Sequence, residues 1–181
     1  MSWTSRTSDS GTGREGIMAT NQERQLVVTW QDPAPAVEKV RSMSGLAYLT
    51  AMMNGELPMA PIASLLGLRV AAVEAGRVVI TGSPGEQHQN PIAMVHGGYL
   101  STMLDSAMGC AVHASLEAGV GYSTVSLQVS FVKAPRAGGP ELIAEGRVVH
   151  LGKRHATADG TLRDADGTLY AHATTTCLIL R

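Results

Sequence analysis

The chain has 181 residues, 44% of them hydrophobic and 16% charged, with a formal net charge of −1 and two cysteines. That length points to one domain whose core can form without disulfides or metal. The near-neutral charge gives no electrostatic case for nucleic acid or an anionic membrane as the main partner, and no apolar run approaches the length of a membrane span.

Residues 1–25 are mostly Ser, Thr, Gly and charged groups, a composition that cannot bury enough apolar surface to fold, so a disordered tail is expected there. The same stretch lacks the apolar segment of a signal peptide, which makes the cytoplasm the expected location. From Pro33 the pattern changes. Val37, Val40, Leu46, Ala47 and Met53 recur with a rough helical period and Gly55 acts as a stop, giving an N-terminal helical extension over 26–60. The main domain is expected over 61–181, beginning with one or two helical turns in PIASLLGL. LRVAAVEAGRVVITGS then reads as a hairpin around Glu-Ala-Gly. Residues 87–95 read as a loop, because Pro91 prevents a regular ladder.

A helix is expected from His96 to Leu116, filled by Leu100, Met103, Leu104, Ala107, Met108, Ala111 and Val112. After Gly119 and Gly121, the residues Val125, Leu127, Val129 and Phe131 alternate with Ser126, Gln128 and Ser130, the pattern of a half-buried strand. ELIAEGRVVHLG, KRHATADGTLR and TLYAHATTTCLIL read as three more strands, with a hairpin turn at Asp166-Gly167. Two strands, one long helix and four strands joined by short turns imply an α+β fold. A curled antiparallel sheet of about six strands wraps the helix, which must then be apolar nearly all round.

Asp105 breaks that apolar pattern. Gly98, Ser101, Thr102, Asp105 and Gly109 share one helix face through spacings of three and four. No Lys or Arg stands three or four residues away to pair with the acid. An isolated acid on a helix usually faces solvent or bonds a nearby amide. Here the helix starts with glycines, which let a ligand oxygen approach unpaired N–H groups at the positive end of the dipole. An amide that polarises an electrophile and a carboxylate two turns away are the parts that acyl transfer needs. His96 reads equally as a residue that positions the helix start, and Asn90 as a turn residue before Pro91. The other histidines, His88, His113, His150, His155 and His172, form no ligand pair, and Cys110 and Cys177 suit neither a metal nor a redox motif, so no metal is expected.

Asn90-Pro91, His96-Gly97-Gly98 and Leu104-Asp105, with LLGLRV upstream, the alternating strand followed by Pro135 and Gly138, and HLGKR at 150–154, carry a resemblance. Together they resemble the signature of hotdog-fold thioesterases of the phenylacetate-degradation (PaaI-like) family, over residues 61–180. The resemblance implies a homodimer with shared active sites, usually paired into a tetramer. It implies hydrolysis of an acyl-CoA with no cofactor beyond the coenzyme A of the substrate. On these positions, Gly97 would polarise the thioester carbonyl through its N–H, and Asp105 would be nucleophile or general base. Asn90 would orient water or the thioester and His96 would support the loop. A hydroxyl on the following strand would stand near the acid, with Thr124 the better alignment and Ser123 the second. Gly98 and Ser123 are expected at the substrate-binding surface, and Lys133, Arg136, Lys153 and Arg154 near the phosphates of CoA, although basic turns are common in any fold.

Two rival readings remain. A hydratase on the same fold would need a histidine closer to the acid than His113, which lies eight residues beyond Asp105. A non-catalytic acyl-CoA sensor would normally carry a DNA-binding segment, and the N-terminal sixty residues are neither strongly basic nor helix-turn-helix in pattern. Either role for Asp105 needs the ionised carboxylate, so hydrolysis is expected to fall in acid, whereas a rate that stays flat through the acidic range would rule the acid out.

Overall fold

The computed structural model describes residues 22–181. The expected tail therefore lies almost wholly outside the described residues, and 22–33 carry neither helix nor strand. Three short helices follow. α1 (Ala34–Val40) begins after Pro33, and α2 (Gly45–Met53) is opened by Ser44, whose hydroxyl accepts the Ala47 amide at 3.3 Å. α3 (Pro61–Leu66) has its proline in the first turn, where a missing N–H costs nothing, and stops at Gly67 with φ 65°.

The strands are β1 (Leu68–Glu74), β2 (Arg77–Gly82), β3 (Gly121–Phe131), β4 (Leu142–Leu151), β5 (His155–Arg163) and β6 (Leu169–Leu180). A short 3-10 turn (Glu86–His88) and the long α4 (Gly97–His113) stand between β2 and β3. The strands form one sheet in the order β1-β2-β4-β5-β6-β3, antiparallel throughout. β1 and β3 are its edges.

α4 packs against all six strands. Met103, Leu104, Ala107, Met108, Ala111 and Val112 are fully buried, and each of the larger ones contributes about 1.5–3 kcal/mol by leaving water. β4 reaches the helix so closely that a Cβ on Gly146 would collide with the backbone at Ala107 and Met108. A glycine in the middle of a strand is tolerated here because only backbone fits. The extension is joined to the far end of α4. Gly45 has no room for a side chain against the His113 carbonyl, and its N–H donates to the Leu116 carbonyl at 3.0 Å. Leu49 and Met52 enter the main core, and the His113 ring sits between Tyr48 and Tyr122 at 5.5 and 5.6 Å.

Two expectations need correction. α4 is not apolar-packed all round: Gly98 is exposed, and Ser101, Thr102, Asp105 and Ser106 are only half-buried. The sheet is open and ends at β3, so among the described residues no further element covers this face. The alternation in β3 also breaks. Leu127 and Val129 face inward as expected, but Val125 is 63% and Phe131 55% exposed. A bulge between Thr124 and Ser126 inserts one residue, Val125, and moves every residue before it to the opposite face.

Gly146→Ala is expected to cost at least 1–3 kcal/mol, about the usual range for overpacking, as read by denaturant unfolding. Burial holds the His113 and His88 imidazoles neutral, below the ordinary value of 6.5. The unfolded chain therefore takes up protons first, and stability should fall as pH drops below 6.5. Melting temperature against pH should show this decline, and His113→Phe should make it shallower.

Candidate active site

The start of α4 is held by hydrogen bonds within the preceding loop. The Asn90 side-chain oxygen accepts the Ile92 and Met94 amides, both at 3.1 Å, and the Asn90 N–H donates to the Met94 carbonyl at 2.8 Å. This loop carries Ala93 at φ 59°, a left-handed conformation that costs a residue with a side chain about 1–2 kcal/mol. The loop is closed by a bridge between Gln89 and Val95, and the His96 N–H donates to the His88 carbonyl at 2.8 Å. His88 in turn accepts the Gly85 amide on Nδ1 at 3.0 Å and lays its ring on Tyr99 with centroids 4.5 Å apart. Its Nε2 and the Tyr99 hydroxyl are buried without a partner among the described residues. Burial, aided by the Glu141 charge, pushes the Tyr99 hydroxyl up to about 12. His88 thus frames the site although its position in the sequence gave no sign of it. The only available signal was the Pro84-Gly85 turn before it.

His96 is the N-cap of α4. Its Nδ1 accepts the Gly98 N–H at 2.9 Å, and its carbonyl accepts the Tyr99 N–H at 3.0 Å. The side chain thus serves as a helix cap. The Gly98 amide is consumed, so Gly98 can offer a substrate only its small size. The Gly97 N–H has no partner among the described residues and lies at the positive end of the dipole. It opens on a cleft of about 640 Å³ bounded by Ser101, Phe131 and Lys133. A Cβ on Gly97 would meet the Phe131 ring at 3.0 Å, so glycine keeps this approach clear.

Asp105 lies on the open face of the same helix. The Thr124 hydroxyl donates to its Oδ1 at 3.0 Å, which orients the carboxylate and leaves Oδ2 open. The bulge at Val125 decides this contact. Extrapolating the inward positions Leu127 and Val129 would turn Ser123 inward, yet Ser123 is exposed and Thr124 faces the acid. Cys110 is no competing nucleophile. Its thiol is pushed up to about 12, by burial first and then by the Asp105 charge. Among the described residues, no cluster of three His, Cys, Asp or Glu could hold a metal ion.

Two groupings made from the sequence come apart in space. Gly97 and Asp105 are eight residues apart on one helix, about 12 Å along its axis, too far for both to act on the same carbonyl. The four cations form two pairs, not one cluster. Lys133 stands after β3 with its ammonium 5.6 Å from the Tyr170 ring centroid, and Arg136 follows in the next turn. Lys153 and Arg154 lie in the β4–β5 turn. The length of β5 separates the pairs by about 30 Å.

His96→Ala is expected to lower stability by about 1 kcal/mol through loss of the cap, measured by denaturant unfolding.

Comparison with known proteins agrees with this geometry. Residues 93–171 match the family model of the thioesterase superfamily. A protein of Pseudomonas aeruginosa provisionally designated an esterase is 34% identical over 107 residues, covering 59% of this chain and 79% of its own. A solved structure from Ralstonia eutropha, provisionally designated a thioesterase related to phenylacetic acid degradation, superposes with a TM-score of 0.66 at 34% identity, covering 72% of this chain and 98% of that one. A Streptococcus mutans protein solved with acetyl-CoA bound gives a TM-score of 0.58 at 25% identity, over 62% of this chain and 88% of that one. With a curled sheet wrapped on one long helix and a signature that runs through the start of that helix, this chain belongs to the thioesterase superfamily and, within its hotdog fold, to the PaaI-like proteins.

Proposed function

We propose that the protein hydrolyses an acyl-CoA thioester to the free acid and CoA at a site shared by two copies of the chain. The observation that carries this reading is the start of α4: an unpaired Gly97 amide at the positive helix end, and on the same open face an Asp105 carboxylate oriented by Thr124. The Gly97 N–H donates to the thioester oxygen and stabilises the negative charge that grows there as the tetrahedral centre forms. Asp105 either takes a proton from the attacking water or attacks the carbonyl itself, giving an acyl–Asp105 anhydride that water then opens. In both cases the C–S bond breaks and the acyl group departs as a carboxylate; of the two protons of water, one ends on the leaving thiolate to give CoA and the other is released to solvent, which returns Asp105 to its ionised state. No metal or organic cofactor takes part in either route.

The separation of about 12 Å along one helix means that the Asp105 acting at a given Gly97 comes from a second copy. The surface for that copy is the free edge of β3. Its eleven residues present unpaired backbone groups and the exposed Val125, a ready template for strand pairing. Two copies joined there bring their open α4 faces together. Pairing of two such dimers into a tetramer follows the family pattern. Asn90 acts through the loop that it ties down, with its side-chain nitrogen left to meet water or substrate. Lys133, which lines the cleft, and Arg136 three residues further on are the side chains that would meet the phosphates of CoA. Lys153 and Arg154 reach the same phosphates only from another copy. The acetyl-CoA held by the Streptococcus mutans relative supports CoA as the carrier. The hydratase alternative loses ground, because His113 is 9% exposed and enclosed between two tyrosines.

Thiol release from a panel of acyl-CoAs tests the chemistry. Asp105→Asn should lower kcat by about 100-fold or more with the fold intact, and Thr124→Val by about 10-fold with little change in KM. Binding of acyl-CoA without turnover by the wild type would leave a non-catalytic binding protein. Gly97→Pro removes the free N–H at a helix position whose backbone suits proline, and its ring must displace the Phe131 side chain, so the variant's fold is checked by circular dichroism first. It should be inactive alone, and so should Asp105→Asn. Mixed after subunit exchange, the two should recover about a quarter of the wild-type rate, because each mixed dimer holds one intact shared site. No recovery would place the site within one chain.

A further inference from the structure

Two clefts diverge from the start of α4, and His96 and Gly98 line both. They differ in chemistry. The cleft toward β3 carries Lys133. The other, of about 440 Å³, runs between α3 and the 3-10 turn, with Ile62 and Leu66 on one wall, Gln87 and Gln89 on the other, and Tyr99 and Thr102 of α4 as its floor. No Asp, Glu, Lys or Arg lines it. Ile62 is an apolar side chain left 48% exposed at its rim. α3 is bounded by Pro61 and Gly67, which makes this wall a short, well-defined element.

A thioester carbonyl seated on the Gly97 amide must send its sulfur one way and its acyl chain the other. CoA is a polyanion and gains by leaving through the cleft with the cation. An apolar chain gains about 25 cal/mol for each Å² that it removes from water; both clefts offer such surface, Phe131 and Val132 beside Lys133 in one and Ile62 and Leu66 in the other, and only the α3 side offers it without a cation. We infer that the groove between α3 and residues 87–89 is the acyl subsite, that it takes an uncharged apolar acyl group, and that Ile62 and Leu66 set the chain length accepted. This rests on the thioesterase reading for its orientation and adds the substrate class to it. The groove's α3 wall, Ile62 and Leu66, precedes the span of the superfamily match, residues 93–171.

The test is a chain-length series from acetyl-CoA to dodecanoyl-CoA, with wild type, Ile62→Trp and Ile62→Ala. The ratio of kcat/KM for decanoyl-CoA over acetyl-CoA should fall about tenfold or more in Ile62→Trp, and the preferred length should move upward in Ile62→Ala. Opposite shifts from one position are not produced by a damaged fold. Binding of the same series to Asp105→Asn, alone and combined with Ile62→Trp, is measured by calorimetry. Affinity that rises with chain length and loses this dependence in the double variant supports the subsite even where no turnover is found, in which case only the thioesterase reading fails. Turnover or binding whose length profile is the same in all variants overturns the subsite and leaves the thioesterase reading standing.

Discussion

The hydrogen bond from the Gly98 amide to the His96 imidazole decides how α4 begins, and the rest of the site depends on it. A helix start leaves several amides without partners. Here the side chain and carbonyl of His96 take two of them in a defined order and leave Gly97 as the one that faces the cleft. The cap holds only because His96 is itself held by the His88 carbonyl, and His88 by the Gly85 amide. The free amide is thus the end of a chain of hydrogen bonds that runs back through the loop. A change at Gly85 or His88 reaches the site without touching it.

The second constraint is the open edge of the sheet. A closed barrel would bury α4 on every side and leave no use for a carboxylate. An open sheet that ends at β3 leaves one helix face uncovered, and the small residues Gly98, Ser101 and Thr102 occupy it with Asp105. The same edge carries the bulge that turns Thr124 toward the acid. One feature of the sheet therefore exposes the acid, orients it and leaves the outer edge of β3 unpaired among the described residues. The neutral groove on the α3 side and the Lys133 cleft on the β3 side lie on either flank of this face.

The N-terminal extension stabilises the opposite end of the helix. Gly45, Tyr48, Leu49 and Met52 lock α2 onto the C-terminal turn of α4. The Ralstonia eutropha relative covers 98% of its own length with 72% of this chain, so part of this chain has no counterpart there. The helix that presents the chemistry is held by its cap and loop at one end and by α2 at the other.

Much of this was legible without coordinates. Element order, the six strands, the limits of α4 and the glycines at its start follow from periodicity and from the conformational limits of Pro and Gly. These are local properties, written in neighbouring residues. Asp105 and the glycines at the start of α4 stood out for the same reason, whereas Asn90 and His96 were singled out by the family resemblance. The rest was decided in three dimensions. Whether Ser123 or Thr124 meets the acid depends on a bulge, a relation between β3 and β6 that neither strand encodes alone. Lys133 and Lys153 look equivalent in the sequence, and only the strand directions place them at opposite ends of the sheet. The unpaired state of the Gly97 amide depends on what His96 does with its ring. Residue types and local periods determine which elements form and which groups are available. Pairing register, hydrogen-bond partners and exposed edges arise between segments distant in sequence, so only the tertiary structure could decide them.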